Sequence, residues 1–122
     1  MDEKASILIV DDDVGMCETL FDIMEDRDFR PTIASDGYEA IEKVREAAFD
    51  AILMDIKMPG MNGVETFKQI KSIRPKTVVV MMTAYAIEGL IEEALREGAY
   101  GVLRKPLNVK RMIDLIEEAK ER

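Results

Sequence analysis

Six polar residues with side chains suited to phosphoryl chemistry stand at the ends of short apolar runs. They are Asp11, Asp12, Asp13, Asp55, Thr83 and Lys105. The runs before them span 7–10, 51–54, 78–82 and 101–104. Aspartate carboxylates are ligands for a divalent cation such as Mg²⁺, and an ammonium or hydroxyl group can donate to a phosphoryl oxygen. If the fold brings these residues together, they form a site for a metal ion and a phosphoryl group.

The apolar runs have the length and the β-branched content of buried strands, and amphipathic stretches separate them. The pattern predicts strands at 7–10, 30–34, 51–54, 78–82 and 101–103. It predicts helices at 14–26, 38–47, 64–73, 87–96 and 109–120. Strands that alternate with helices build a parallel sheet covered on both faces. The carboxyl ends of such strands share one edge of the sheet, so the polar residues should meet there.

Individual residues add detail to this prediction. Pro31 places the second strand at an edge of the sheet, because proline cannot donate a ladder hydrogen bond. Asp13 is suited to cap the first helix. Met58 and Met61, in the loop after Asp55, are expected to be exposed near a partner surface. Four other sulfur-containing residues are expected to fill the core, namely Cys17, Met54, Met81 and Met82.

Length and composition indicate one globular domain that spans residues 1–122. Apolar residues make up 48% of the chain and charged residues 34%, as is typical of folded proteins. No apolar run approaches the roughly 18 residues that a membrane span needs. The N-terminus lacks the basic start and the long apolar stretch of a signal peptide. We therefore expect a cytoplasmic protein with no membrane partner.

The absence of histidine and the single cysteine, Cys17, exclude several classes of site. One cysteine cannot form an internal disulfide or a thiolate-rich metal site. Without histidine the chain can build neither the usual zinc sites nor a His-based triad. The net charge of −8 argues against direct binding to a nucleic-acid backbone, which needs clustered Lys and Arg. An acidic balance instead suits encounter with basic partner surfaces.

Four motifs occur in order at the predicted strand ends. They are the acidic pair at 11–12, the segment Leu-Met-Asp-Ile-Lys-Met-Pro-Gly-Met-Asn-Gly at 53–63, Met-Thr-Ala at 82–84 and Lys-Pro at 105–106. With these motifs the chain resembles the receiver domain of two-component response regulators over essentially its whole length. The resemblance implies an α/β fold of the flavodoxin-like kind, a doubly wound (βα)5 domain whose five-stranded parallel sheet has the order 2-1-3-4-5.

The resemblance also implies a Mg²⁺ site. Its protein ligands would be Asp11, Asp12, Asp55 and the backbone carbonyl of Lys57, with Asp12 binding directly and Asp11 through water. Three acids in one pocket repel each other, which favours a bound cation. Without the resemblance, an aspartate after a strand is more often a helix cap or a turn former.

Asp55 resembles the phosphoacceptor of this family, since a carboxylate can form an aspartyl phosphate. Lys105 corresponds to the phosphate clamp, which a cis peptide bond to Pro106 would aim inward, and Thr83 corresponds to the switch hydroxyl. The plainer alternatives are a solvated lysine and a threonine bonded to backbone. The implied donor is a phosphohistidine of a histidine kinase or phosphotransferase. The chain would catalyse its own phosphorylation and its own slow dephosphorylation, as a signalling domain and not an enzyme.

The resemblance also implies an output face, which in the family consists of the fourth helix, the fifth strand and the fifth helix. Four apolar residues of the fourth helix exceed one narrow stripe, namely Ile87, Leu90, Ile91 and Leu95. The surplus is either exposed for homodimerisation or part of a wide core face. An attached output domain and a separate output partner are both open. Val102 stands where many receivers carry an aromatic switch residue, and Tyr85 and Tyr100 are candidates to replace it.

Other interpretations of the same residues remain open. Lys57 and Tyr85 flank the path of the attacking water in the family, and their bulk favours slow loss of phosphate. Asp11 and Asp13 imitate the Asp-x-Asp motif of haloacid-dehalogenase-type phosphatases, although Gly15 departs from it. A flavodoxin-like flavin module is a second alternative. Its first loop should offer hydroxyl groups to the flavin phosphate, whereas the three aspartates of this chain would repel that phosphate. A pseudo-receiver, which binds partners without phosphorylation, is the third alternative.

Overall fold

The computed structural model describes residues 4–84 and 88–121, in which five strands alternate with five helices. The strands are β1 (Ser6–Val10), β2 (Arg30–Ala34), β3 (Ala51–Asp55), β4 (Val79–Thr83) and β5 (Gly101–Arg104). The helices are α1 (Val14–Asp26), α2 (Gly37–Glu46), α3 (Gly63–Ile73), α4 (Glu88–Arg96) and α5 (Val109–Lys120). These bounds agree with the predicted ones to within one residue. Tyr85 and Ile87, which the sequence analysis considered, lie outside the described residues.

All five strands are parallel and lie in the order β2-β1-β3-β4-β5, which confirms the predicted fold. All five residues of the central strand β3 are buried, as expected for a strand covered on both faces. Among the described strands, the one with Pro31 pairs with β1 alone and lies at the edge of the sheet, as predicted. The order changes direction between β1 and β3, so the carboxyl ends of these two strands border the binding crevice of this fold class.

Two apolar layers cover the sheet. Helices α2, α3 and α4 pack on one face, and α1 and α5 pack on the other. Cys17, Met54, Met81 and Met82 are buried, as predicted. The expectation that Met58 and Met61 are exposed is wrong, because their side chains are only 5% and 8% exposed. Both belong to the apolar layer on the α2–α3 side, because burying their side chains there removes apolar surface from water.

One polar side chain caps the start of the first helix. The Asp13 carboxylate accepts a hydrogen bond of 3.1 Å from the Met16 amide, which makes Asp13 the N-cap of α1, as predicted.

No helix within the described residues is long and apolar enough to cross a membrane.

Candidate functional site

Two neighbouring strands bring a carboxylate each to the same point of the sheet edge. Asp11 directly follows β1, and Asp55 is the last residue of β3. One carboxylate oxygen from each of these residues and one from Asp12 lie within 4.8 Å of one another. Asp11 and Asp55 are buried, whereas Asp12 is exposed. The cluster is therefore anchored in the domain and open to solvent on one side.

Lys105 brings a positive charge into this acidic cluster. Its Nζ lies 2.7 Å from Asp11 Oδ2 and 3.5 Å from Asp55 Oδ2. The Lys105 amide donates to the carbonyl of Thr83 at 2.8 Å, which ties the loop after β5 to the end of β4. The peptide bond between Lys105 and Pro106 is cis. Since the Lys105 side chain is only 15% exposed, its ammonium group is directed at the two buried carboxylates instead of solvent.

The crowding of charges changes the proton affinity of the site. Burial and the neighbouring negative charge of Asp11 raise the pKa of Asp55 from 3.8 to about 6, although Lys105 and the backbone of Lys57 oppose the change. Burial lowers the pKa of Lys105, but its hydrogen bond to Asp11 and the charges of Asp55 and Asp11 outweigh this effect and raise it. The lysine is therefore charged and the Asp55 carboxylate is electrostatically unfavourable without a further cation.

A cavity of about 490 Å³ opens above the cluster and gives it access to solvent. Its lining comprises Asp11, Asp12, Asp13, Met16, Asp55, Lys57, Met58, Pro59, Ala84 and Lys105. Thr83 is 1% exposed at the end of β4, next to the lining residue Ala84. The structure thus brings every predicted site residue to one sheet edge, where Thr83 is buried beside the cavity lining. The lining also includes Met16, Pro59 and Ala84, to which the sequence analysis assigned no chemical role.

Comparisons with known proteins agree with this arrangement. The family model of the response regulator receiver domain matches residues 7–117. The chain belongs to the response regulator receiver domain family. The receiver is 34% identical to the chemotaxis protein CheY of Listeria monocytogenes over 114 residues, which cover 93% of this chain and 96% of that protein. Receivers of this family are signalling domains of two-component systems, in which they work with histidine kinases.

A longer relative and a solved structure extend the comparison. The receiver is 41% identical over 117 residues to the transcriptional regulatory protein ZraR of Klebsiella oxytoca, with 96% of this chain and 26% of that protein covered. The chain therefore spans about a quarter of the ZraR proteins that it matches. The CheY-like receiver domain protein of Methanospirillum hungatei shares the fold with a TM-score of 0.94 and 30% identity, covering 98% and 95% of the two chains.

In this receiver, the start of α3 supports the end of the strand that carries Asp55. A Cβ atom added to Gly63 would come within 2.3 Å of the Asp55 carbonyl oxygen, so only glycine allows this approach. The Gly63 amide donates to the Ile56 carbonyl at 2.7 Å. Asn62 and Glu65 form a capping box in which each side chain accepts from the other residue's amide. The sequence analysis missed this support, although Asn-x-x-Glu is a recognisable capping signal.

The donor atoms of the receiver site fit a magnesium ion. Mg²⁺ prefers carboxylate and carbonyl oxygens, keeps several waters, and binds through one or two carboxylates together with phosphate oxygens. Asp11, Asp12 and Asp55 supply oxygens of this kind close together, and the cavity leaves room for water. A cation would also oppose the burial and the repulsion from Asp11 that together raise the pKa of Asp55. The acidic cluster is thus suited to Mg²⁺, and the contribution of the Lys57 carbonyl stays a prediction.

Proposed function

We propose that the domain, taken as residues 1–122, is a phosphorylation-activated switch in which Asp55 accepts a phosphoryl group from a phosphohistidine. The donor would be a histidine kinase or a phosphotransferase. The observation that carries this proposal is the position of Asp55, which is buried at the floor of a solvent-connected cavity with Lys105 Nζ 3.5 Å away. A structural carboxylate at a strand end would need neither the cavity nor the second and third acids.

The roles of the residues follow from charge balance. An Asp55 carboxylate oxygen attacks phosphorus, the P–N bond to the imidazole breaks, and the imidazole nitrogen keeps the electron pair and takes up a proton. Lys105 holds Asp11 and Asp55 before transfer and can donate to a phosphoryl oxygen afterwards. We assign the Thr83 hydroxyl the role of a second hydrogen-bond donor to the phosphoryl group. These residues position and neutralise the transferred group, as is usual for phosphoryl transfer.

Asp11, Asp12, Asp55 and the Lys57 carbonyl would hold the Mg²⁺ ion. When bound, the ion neutralises the charge that develops on the phosphoryl oxygens. Asp12 is the exposed member of the cluster and the most accessible to an incoming ion. Hydrolysis would return Asp55 to the free carboxylate, and the exposed Lys57 beside the cavity favours a slow rate, since its side chain stands near the path of water.

Phosphorylation would change the face formed by α4, β5 and α5 through a shift between two arrangements. Leu95 on this face is 50% exposed, and we propose it as a contact of a homodimer formed through this face. Val102 packs on the α2–α4 side of the sheet, whereas Tyr100 packs on the α1–α5 side and donates to Glu118 at 3.2 Å. Tyr100 is therefore poorly placed to take over the aromatic switch.

The longer relatives support an output domain for the receiver. Because ZraR is named a transcriptional regulatory protein and is about four times longer than the match, we assign the receiver an output domain, attached or separate, that acts on transcription. Direct contact with nucleic acid is not assigned to the receiver itself, since its net charge is −8. A cytoplasmic location suits this role.

The test is the intact mass of the protein after incubation with a small phosphodonor and Mg²⁺. The wild type should gain one phosphoryl group, and the Asp55→Asn variant and a wild-type sample with the metal chelated should gain none. Asp22→Asn, an exposed change on α1, is the matched control and should be phosphorylated as the wild type is. A wild type that gains no mass with any donor would leave the pseudo-receiver as the better interpretation, and turnover of an external phosphoester would favour a phosphatase.

A further inference from the structure

Helix α4 is held to the domain by little apolar contact. Among its described side chains only Ala94 is fully buried, whereas α1, α3 and α5 each bury at least three residues. Leu90 and Ile91 are half-buried, and Leu95 is 50% exposed. Since buried apolar area supplies most of the free energy that holds a helix in place, the described residues of α4 are attached less firmly by apolar packing than those of α1, α3 and α5.

Two lysines of α3 supply contacts of a different kind. Lys68 Nζ lies 2.5 Å from the Glu93 carboxylate. Lys71 Nζ donates to the backbone carbonyl of Glu97 and lies 3.5 Å from the carboxylate of the same residue. The lysines are three positions apart on α3 and the glutamates are four positions apart along α4 and its end, so both pairs lie on facing sides of the two helices.

The contacts of Lys71 are more specific than a surface ion pair. Its ammonium group binds a carbonyl just after the last residue of α4, where the helix dipole is negative and unpaired carbonyls need donors. The same ammonium lies 5.5 Å from the centre of the Phe67 ring, and Phe67 is fully buried, so the lysine stem is oriented by packing. Glu93 likewise raises the pKa of Lys68 through a hydrogen bond.

The helix that carries these lysines is itself fixed to the phosphoacceptor strand. Gly63, the first residue of α3, lies against the backbone of Asp55. The described part of α4 is therefore attached, through two charged contacts, to a helix that begins in close contact with the Asp55 backbone.

We infer that Lys68 and Lys71 form an electrostatic clamp that holds α4 against α3 and sets how readily α4 leaves that position. Because both pairs are partly exposed, salt weakens the clamp, and α4 should open more readily at high ionic strength than the other helices. The consequence for signalling rests on the proposed function, since phosphorylation would then have to work against the clamp to rearrange the α4 face. The clamp itself exists in the unphosphorylated domain.

Hydrogen exchange of the unphosphorylated protein tests the clamp. In the K68A/K71A variant, the amides of α4 should exchange roughly fivefold faster than in the wild type, while those of α5 should not change. The wild type at high salt should approach the variant, and the variant should respond little to salt. K110A is the matched control. Lys110 pairs with Asp114 within α5, so this substitution removes a surface ion pair without changing α4.

A charge exchange separates the clamp from a general loss of stability. K68E/E93K reverses one pair, so it should slow α4 exchange relative to K68E alone. Unchanged α4 exchange in K68A/K71A, or equal acceleration in all helices, would overturn the clamp. The comparison of K68A/K71A with its parent is repeated in the Asp55→Asn background, which cannot be phosphorylated at residue 55. The lysine substitutions should accelerate α4 exchange there too, so the clamp is tested independently of the proposed phosphorylation.

Discussion

At the scale of single residues, the site is built at the expense of stability. Asp55 is 6% exposed and faces Asp11, and the two acids share the one ammonium group of Lys105. A buried carboxylate with a raised pKa is in a state that folding disfavours at neutral pH. This arrangement is typical of functional sites, where reactivity takes precedence over stability.

The first prediction concerns the Asp55→Asn variant in metal-free buffer. The pKa of Asp55 in the folded protein is about 6 instead of 3.8, so the folded state binds the proton more tightly than the unfolded state does. The protonated group favours folding below pH 3.8, and this contribution is lost as the pH rises through about 6. We therefore expect the amide to raise the free energy of unfolding at pH 7 by about 1–2 kcal/mol.

Urea denaturation with a chelator at pH 7 and at pH 4 measures this effect. The gain should shrink towards zero at pH 4, where Asp55 is largely protonated in the folded state and no longer carries a buried charge. Asp22→Asn, an exposed change on α1, should stay within about 0.5 kcal/mol at both pH values. A destabilised Asp55→Asn protein at pH 7 would mean that the contact with Lys105 outweighs burial and repulsion.

The second prediction concerns Cys17, whose thiol donates to the Asp11 carbonyl at 3.2 Å. Burial and the charge of Asp11 raise the pKa of this thiol to about 11. We expect its reaction with a thiol-specific chromogenic disulfide at pH 8 to be on the order of 100-fold slower than that of a free thiol, because so little thiolate is present. The rate should rise to the free value in urea. Fast modification of the native protein would show that α1 opens near the site.

At the scale of secondary structure elements, Gly63 links α3 to the phosphoacceptor strand. The third prediction is that Gly63→Ala destabilises the protein by about 2–4 kcal/mol and slows phosphorylation, because the new methyl group would collide with the Asp55 carbonyl and the Ile56 Cα atom. Denaturation midpoints and the rate of mass gain from a small phosphodonor measure the two effects.

Gly89 offers the matched control for this substitution. It lies in α4, and a Cβ atom added there meets nothing within 4 Å. Gly89→Ala should therefore stabilise the protein by about 0.5–1 kcal/mol, as expected for glycine replaced within a helix. Similar losses for both variants would mean that backbone flexibility matters more than the contact with Asp55.

The elements are also where prediction from sequence succeeded best and where its limits are clear. The strands were predictable because short continuous apolar runs such as 51–54 are typical of a doubly covered strand and are too short for a helix. The burial of Met58 and Met61 was missed, because the composition of a loop does not show which side chains of the rest of the domain pack against it. The contacts of Lys68 and Lys71 were also missed, since they depend on how α3 and α4 lie beside each other and not on either helix alone.

At the scale of the whole molecule, the receiver must present a surface that another molecule reads. Two exposed apolar residues allow a direct comparison of surfaces, namely Leu95 on α4 at 50% exposure and Val14 on α1 at 67% exposure. If the α4–β5–α5 face forms the proposed homodimer, a charge on Leu95 would be buried unpaired in the interface and one on Val14 would not.

The fourth prediction is that Leu95→Glu weakens self-association of the phosphorylated receiver by at least about tenfold, whereas Val14→Glu leaves it unchanged. Sedimentation velocity with and without a phosphodonor measures the association. Neither change should alter the denaturation midpoint by much, because both side chains are exposed. Equal association of Leu95→Glu and the wild type would move the dimer interface elsewhere.

The ion pair between Lys105 and Asp11 joins residues that are 94 positions apart in the chain. At a translation rate of roughly 5–20 residues per second, Asp11 is synthesised about 5–19 s before its partner. In the later part of this interval, once Asp55 has been made, the nascent chain carries the acceptor and its acidic neighbours without the ammonium group that balances them. An incomplete translation product that ends before Lys105 therefore lacks a working site, and it should not divert phosphoryl groups from the finished protein.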